Sequence, residues 1–314
     1  MADEPGLPLP PLRCPFGDSI SPLADDVDRH VVAWASEWSG VGLTRLRDIK
    51  VGRLAARTTP SASPQALEFL ADWQMWLFLF DDEFSDEAVD GADLNRLGGM
   101  ITSFVRVLDE HTDPGGPAAP FTAALTGLVR RLSALATGQQ MFRFVSAVRG
   151  YFLAQYWEAC NRAADRPASL AEYTPMRRHS GAVPTCIALV DMADGFELTA
   201  DDYYRTDVRA ITDVAVNVTC WANDILSYPK ESRRSTKLHS LPAVLAQQRR
   251  ISMAEALTAA AVMHDAEVDR YVAAEEPLRQ TAGPGLGRYL DGLRSWMGGN
   301  YHWSLETGRY RLTG

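Results

Sequence analysis

The chain has 314 residues, 46% hydrophobic and 23% charged, a balance that suits a folded globular protein and excludes a disordered or fibrous one. Lys plus Arg number 31 and Asp plus Glu 40, so the formal charge is -9, which disfavours nucleic acid or an anionic membrane as a partner. An anionic ligand would need cations supplied locally. The residues up to Gly17 are acidic and Pro-rich, with neither a basic nor an apolar leader, and no apolar run reaches the roughly 20 residues of a bilayer span. A cytoplasmic protein without a membrane anchor is expected. Cys14, Cys160, Cys186 and Cys220 form no CxxC pair, which suits reduced thiols rather than disulfides or a zinc site.

After a Pro-rich segment over residues 1–20, apolar residues recur every three or four positions. The spacing predicts helices near 22–39, 64–85, 91–110, 119–136, 139–165, 169–181, 184–195, 201–231, 253–275 and 285–298. Between them lie turn-forming stretches such as Thr112-Asp113-Pro114-Gly115-Gly116-Pro117 and Ala282-Gly283-Pro284-Gly285. In 201–231, Val208, Ile211, Val214, Val218, Trp221, Ile225 and Tyr228 make one apolar face that should line the interior. No strand alternation, internal repeat or compositional break is present, so a single all-α domain over 1–314 is expected, with 299–314 as a C-terminal closing segment.

The predicted helix 64–85 carries an aromatic wall, Trp73-Gln74-Met75-Trp76-Leu77-Phe78-Leu79-Phe80, leading into an acidic mouth, Asp81-Asp82-Glu83-Phe84-Ser85-Asp86. Asp82 and Asp86 lie one turn apart with Asp81 beside them, so carboxylates share a rim, and oxygen ligands suit Mg²⁺. A solvated helix end reads equally well from this run alone. A second pattern places Asn223, Ser227 and Glu231 at i, i+4 and i+8, a stripe of hard oxygen donors on a continuous helix. Asn and Ser are poor choices for a merely solvated helix face. Pro229 interrupts this stripe, and in a straight helix its missing N–H and ring clash cost about 3 kcal/mol.

Other signals are weaker. Asp25-Asp26-Val27-Asp28 opens a helix where the macrodipole favours negative charge. The glycines of Gly283-Pro284-Gly285-Leu286-Gly287 follow no strand, so they are not a phosphate loop, and neither HExxH nor GxSxG occurs.

The acidic run DDEFSD resembles the aspartate-rich motif of bacterial class I terpene synthases, and NDILSYPKE is similar to their NSE motif, in the family's order. Arg177, within Glu172-Tyr173-Thr174-Pro175-Met176-Arg177-Arg178-His179-Ser180-Gly181, resembles the family's pyrophosphate sensor, which would make Ser180 the linker and Gly181 the effector. Arg309-Tyr310 looks like the C-terminal Arg-Tyr pair, and Trp157-Glu158-Ala159-Cys160-Asn161-Arg162 resembles another family segment. His239-Ser240 stand where the family pattern has an Asn. The likeness spans roughly residues 12 to 312, and no DxDD run of a protonation-initiated cyclase appears.

The resemblance implies a helical bundle around a central apolar cavity, three Mg²⁺ ions and an isoprenoid diphosphate substrate, with a homodimer compatible with it. Asp81, Asp82 and Asp86, with Asn223, Ser227 and Glu231, would be the metal ligands; Asp82 would alternatively pair with Arg309 on closure. Arg177, Lys230, Arg309 and Tyr310 would hold the diphosphate. Phe78 and Trp303 are expected to face the carbocation, where a desolvated cation–π contact contributes about 2 kcal/mol; Trp76 is expected in the core, and Asn217 at the cavity. The segment 232–237 and the tail after Asn300 are expected to order only with ligand. Family members with this motif set point to farnesyl diphosphate, with geranylgeranyl diphosphate as the alternative. A chain-elongating synthase, which would carry a second aspartate-rich motif, and a non-catalytic isoprenoid binder rank below.

Overall fold

The computed structural model describes residues 7–86, 93–116, 118–234 and 239–310, with the backbone alone at 85, 86 and 234. Every regular element among them is helical. α1 (Ala24–Ser36), α2 (Leu43–Ile49) and α3 (Val51–Thr58) lead to α4 (Pro64–Phe80), which passes directly into a wide π-helical turn, Asp81–Asp86. Next come α5 (Leu94–Glu110), α6 (Ala119–Leu135), α7 (Gly138–Ala163), α8 (Leu170–Ser180), α9 (Val183–Ile187) and α10 (Val190–Ala193). The chain continues through α11 (Ala200–Tyr204), α12 (Thr206–Leu226), α13 (Tyr228–Arg234), α14 (Leu241–Arg249), α15 (Met253–Thr281) and α16 (Pro284–Glu306). None of these helices is long and apolar enough to cross a membrane, and all four cysteines are free thiols.

α4 is apolar nearly all round and packs on α1, α3 and α6, the behaviour of a helix at the centre of a bundle. Ser63 caps its start by accepting from the Ala66 N–H, and Pro64 occupies the first turn, where no N–H is needed. Trp73 stacks on Trp76 at 5.5 Å and Trp76 on Phe80 at 5.2 Å. The Trp76 ring donates its Nε1–H to the Phe121 carbonyl at 3.1 Å, so Trp76 is core, as expected. Each such buried ring contributes about 1.5–3 kcal/mol, and together they fix where the acidic turn sits. On the far side, α12 packs against α15 and α16, and its Val208, Ile211, Val214, Val218 and Ile225 are all buried.

The expected single helix 201–231 is three helices. Arg205 is extended (ψ 136°) between α11 and α12, and α12 ends at Leu226 so that Pro229 falls in the first turn of α13, where a proline is tolerated. The Ser227 carbonyl takes the first N–H groups of the new helix, from Lys230 at 2.9 Å and Glu231 at 3.1 Å. The expected helix 184–195 likewise divides into α9 and α10.

In the other direction, the helix expected to stop at 298 runs to Glu306. Gly298 and Gly299 do not break it because each is a point of close approach. A Cβ on Gly298 would lie 2.5 Å from the Gly17 carbonyl oxygen, and one on Gly299 2.7 Å from Arg57 backbone. The N-terminal segment thereby becomes part of the body: Leu12 and Phe16 are buried, and Phe16 meets the Tyr271 ring edge-on at 5.5 Å.

Candidate active site

Asp82 leaves the π-helical turn pointing inward, 5% exposed, and gathers cations from three other elements. Arg309 meets it as a fork, Nη1 at 2.8 Å from Oδ2 and Nη2 at 3.0 Å from Oδ1. Arg45 of α2 donates at 3.1 Å, and Lys230 of α13 lies 3.5 Å away. Burial alone would raise the pKa of this carboxyl; the three positive charges outweigh it and hold Asp82 well below the ordinary range, hence ionised. Asp81 lies 3.8 Å from Arg309 and is part-exposed. The side chain of Asp86 lies outside the described residues, as do 235–237 of the expected lid segment and residues 311–314 of the tail.

Of the two roles weighed for Asp82, pairing with Arg309 is the one this arrangement shows. Phe78 supports it from below: the Arg309 guanidinium sits 4.6 Å over the Phe78 ring, and Phe78 stacks on Trp303 at 5.4 Å. Trp303 is fully buried, and its Nε1–H points at the Ile49 and Lys50 carbonyls, each at 3.0 Å. The two rings thus form a floor under the C-terminal Arg-Tyr pair.

Opposite stands the junction of α12 and α13. Asn223 accepts from Arg177 Nη2 at 3.0 Å through Oδ1 and donates through Nδ2 to Tyr310 Oη at 2.5 Å. Ser227 donates its hydroxyl hydrogen to the Asn223 carbonyl at 2.7 Å, which leaves the lone pairs of Oγ free. Glu231 is half-buried one turn on. Among the described residues no three His, Cys, Asp or Glu side chains converge. A cation here would therefore draw on an amide oxygen, a hydroxyl, single carboxylates and ligand oxygens, a hard donor set that fits Mg²⁺.

Arg177, of α8, is tied to Asp224 through Nε at 2.9 Å and Nη2 at 2.8 Å. Its neighbour in the motif, Ser180, is buried, with its carbonyl accepting from Gln155 Nε2 at 3.1 Å. α8 breaks at Gly181, and Ala182 turns into the left-handed region (φ 59°) before α9 starts. A Cβ on Gly181 would lie 2.5 Å from Cys220 Sγ and 3.1 Å from the Arg177 carbonyl, so only glycine lets this break press against α12. Gly181→Ala is expected to lower turnover about tenfold by displacing the break, and Cys220→Ala in that background to restore much of it. Equal losses with and without Cys220→Ala in steady-state assays would refute this account of the glycine.

Asn217 is not at the mouth. It is held between Arg178 (3.0 Å) and Glu267 of α15 (2.7 Å), because six residues along α12 from Asn223 is well over one turn and faces a different neighbour. The sequence reading missed Arg45 and Asp224. Nothing marked Arg45, which sits on a seven-residue helix with two buried positions. Asp224 had a signal in Tyr173, four residues before Arg177 and so on the same face of α8.

Taken together, an acidic turn at the end of an aromatic helix faces a stripe of hard oxygen donors across a mouth ringed by Arg45, Arg177, Lys230, Arg309 and Tyr310, the layout of a metal-dependent diphosphate-handling helical enzyme. Residues 72–270 match the family model "Terpene synthase family 2, C-terminal metal binding". The chain is 33% identical to a 4-epi-cubebol synthase, (2E,6E)-farnesyl diphosphate cyclizing, of Streptosporangium roseum, over 98% of this chain and 93% of that one. It is 36% identical to a (+)-T-muurolol synthase, (2E,6E)-farnesyl diphosphate cyclizing, of Roseiflexus castenholzii (95% and 93%). It is 34% identical to a (12E)-labda-8(17),12,14-triene synthase of Streptomyces anulatus (98% and 96%). The crystal structure of the SVS_A2 protein from ancestral sequence reconstruction superposes with a TM-score of 0.88 at 26% identity, covering 95% of this chain and 90% of that one. The chain belongs to the terpene synthase family.

Proposed function

We propose that this protein ionises and cyclises farnesyl diphosphate to a sesquiterpene, releasing diphosphate, with three Mg²⁺ ions bound at the mouth. The observation that carries the reading is the convergence of the Asp82 and Asn223 clusters, with Arg177, Lys230, Arg309 and Tyr310 already gathered between them. Asp81 and Asp86 would hold two ions, and Asn223, Ser227 and Glu231 the third. Bound Mg²⁺ would neutralise the charge that builds on the departing diphosphate.

The protein's own groups do the rest. Arg309 offers a forked donor to phosphate oxygens, Arg177 the Nη1 end of its guanidinium, Lys230 a point charge and Tyr310 a hydroxyl. The three cations are each paired with a carboxylate at rest, Arg177 with Asp224 and Arg309 and Lys230 with Asp82, so the site carries little uncompensated positive charge. Arg309 and Tyr310, standing on the Phe78–Trp303 floor, cover the mouth and keep water from the cation. The effector carbonyl of Gly181, at the break of α8, would face the reacting carbon.

One relative is named a (12E)-labda-8(17),12,14-triene synthase, and the labdane skeleton in that name has twenty carbons, which supports geranylgeranyl diphosphate as the second reading. A competition assay with equal geranyl, farnesyl and geranylgeranyl diphosphates in Mg²⁺ separates the two. The expected result is a kcat/KM for farnesyl diphosphate at least about tenfold above the others, the discrimination that pocket length alone supplies. A preference for geranylgeranyl diphosphate would overturn the choice of substrate.

A further inference from the structure

Arg177 is gripped along one edge by an assembly that diphosphate binding does not by itself require. Asp224 is 2% exposed on the buried side of α12. Its Oδ1 accepts from Nε and Nη2 of Arg177, at 2.9 and 2.8 Å. Its Oδ2 accepts from the hydroxyl of Tyr173 and from the Leu241 N–H, the latter at 2.8 Å. A carboxylate has about four acceptor positions, and all four are filled. Tyr173, 1% exposed on α8, and Leu241, at the start of α14, thus fix the plane in which the carboxylate meets the guanidinium. Among the described residues, the opposite end of Arg177, Nη1, makes one long hydrogen bond, to Ser180 Oγ at 3.5 Å.

We propose that Tyr173 and Asp224 are positioning residues for Arg177: they clamp its Nε–Nη2 edge, present the Nη1 end to the diphosphate in a ready orientation, and cancel the guanidinium charge until phosphate oxygens replace that role. The proposal rests on the reading that diphosphate binds at this mouth. A preoriented donor acts on the rate of the ionisation step more than on binding, because a loose guanidinium still attracts phosphate while no longer meeting the leaving group in register. Asp224 opposes binding electrostatically at rest, so its removal and the removal of Tyr173 have different signatures.

The test pairs steady-state kinetics on farnesyl diphosphate with calorimetric titration of inorganic diphosphate in Mg²⁺, for wild type, Tyr173→Phe and Asp224→Asn. Tyr173→Phe is expected to lower kcat about tenfold with KM and inorganic diphosphate affinity within about threefold of wild type. Asp224→Asn is expected to lower kcat about a hundredfold while binding inorganic diphosphate at least as tightly as wild type. A packing role alone predicts losses of affinity and kcat in parallel, and that result would overturn the proposal, as would a Tyr173→Phe kcat within about twofold of wild type. Should Asp224→Asn fail to fold, Tyr173→Phe decides. If wild type does not turn over farnesyl diphosphate, the proposed function falls; the calorimetric arm still decides the clamp, which then requires Asp224→Asn to bind at least as tightly as wild type and is overturned by weaker binding.

Discussion

Asn223→Ala is expected to reduce Mg²⁺-dependent turnover by about a hundredfold or more while leaving the helical fold in place, and Glu231→Ala to do nearly the same. The reasoning for Asn223 is geometric. Its amide joins Arg177 to Tyr310 across the mouth, so its loss removes both a hard oxygen donor and the link between two diphosphate-facing groups. Stability changes little, because Arg177 keeps its contacts with Asp224 and neither Asn223 nor Glu231 is fully buried. Glu231 is the sharper case, since the helix breaks at Ser227, between Glu231 and Asn223. A Glu231→Ala rate near that of wild type at saturating Mg²⁺ would show that the break has turned Glu231 away from the ion.

Arg309→Ala is expected to damage stability and activity together. Asp82 is almost wholly buried, and its two strongest partners are the two arms of Arg309. Removing one partner of a buried pair costs about 3–5 kcal/mol when nothing replaces it. Here Lys230 at 3.5 Å and Arg45 at 3.1 Å remain, so the expected loss in chemical denaturation is about 2 kcal/mol, below that range. Turnover is expected to fall at least about a hundredfold, since the same guanidinium closes the mouth and faces the diphosphate. Arg309→Lys keeps the charge but not the fork and should fall between the two. A variant within about 0.5 kcal/mol of wild type in denaturation would show that the Asp82–Arg309 contact contributes no more than an exposed pair.

Much of this was legible in the sequence because it lies on long, periodic helices. The aromatic wall from Trp73 to Phe80 and the apolar stripe of α12 announce helices by spacing alone, and the two motifs sit where those helices end. What was not legible lies at breaks and in short helices. α2, at seven residues, and α14, at nine, are too short for a periodic pattern to stand out, and with α2 went Arg45. The division at Ser227 was legible only as a conflict, a proline in a helical stripe. The structure resolves it by starting a new helix at Tyr228 and placing Pro229 in its first turn. The helix expected to stop at 298 runs on to Glu306, and its Gly298-Gly299 pair gives room for residues 16–17 and 57–58 to press against α16, contacts remote in the chain. Asp224 was hidden by its neighbour, since adjacent residues on a helix face about 100° apart and the pattern of Asn223, Ser227 and Glu231 draws the eye to the other side.

The account stands most directly on whether this chain breaks a diphosphate ester in a metal-dependent way. The measurement is an incubation of the purified protein with farnesyl diphosphate, with released diphosphate and extracted hydrocarbon or terpene alcohol quantified with Mg²⁺ and with excess chelator. Equal molar amounts of diphosphate and a C15 hydrocarbon or alcohol, both appearing with Mg²⁺ and both vanishing with chelator, are predicted. Unchanged substrate in Mg²⁺, or a longer isoprenyl diphosphate when isopentenyl diphosphate is added, would contradict it.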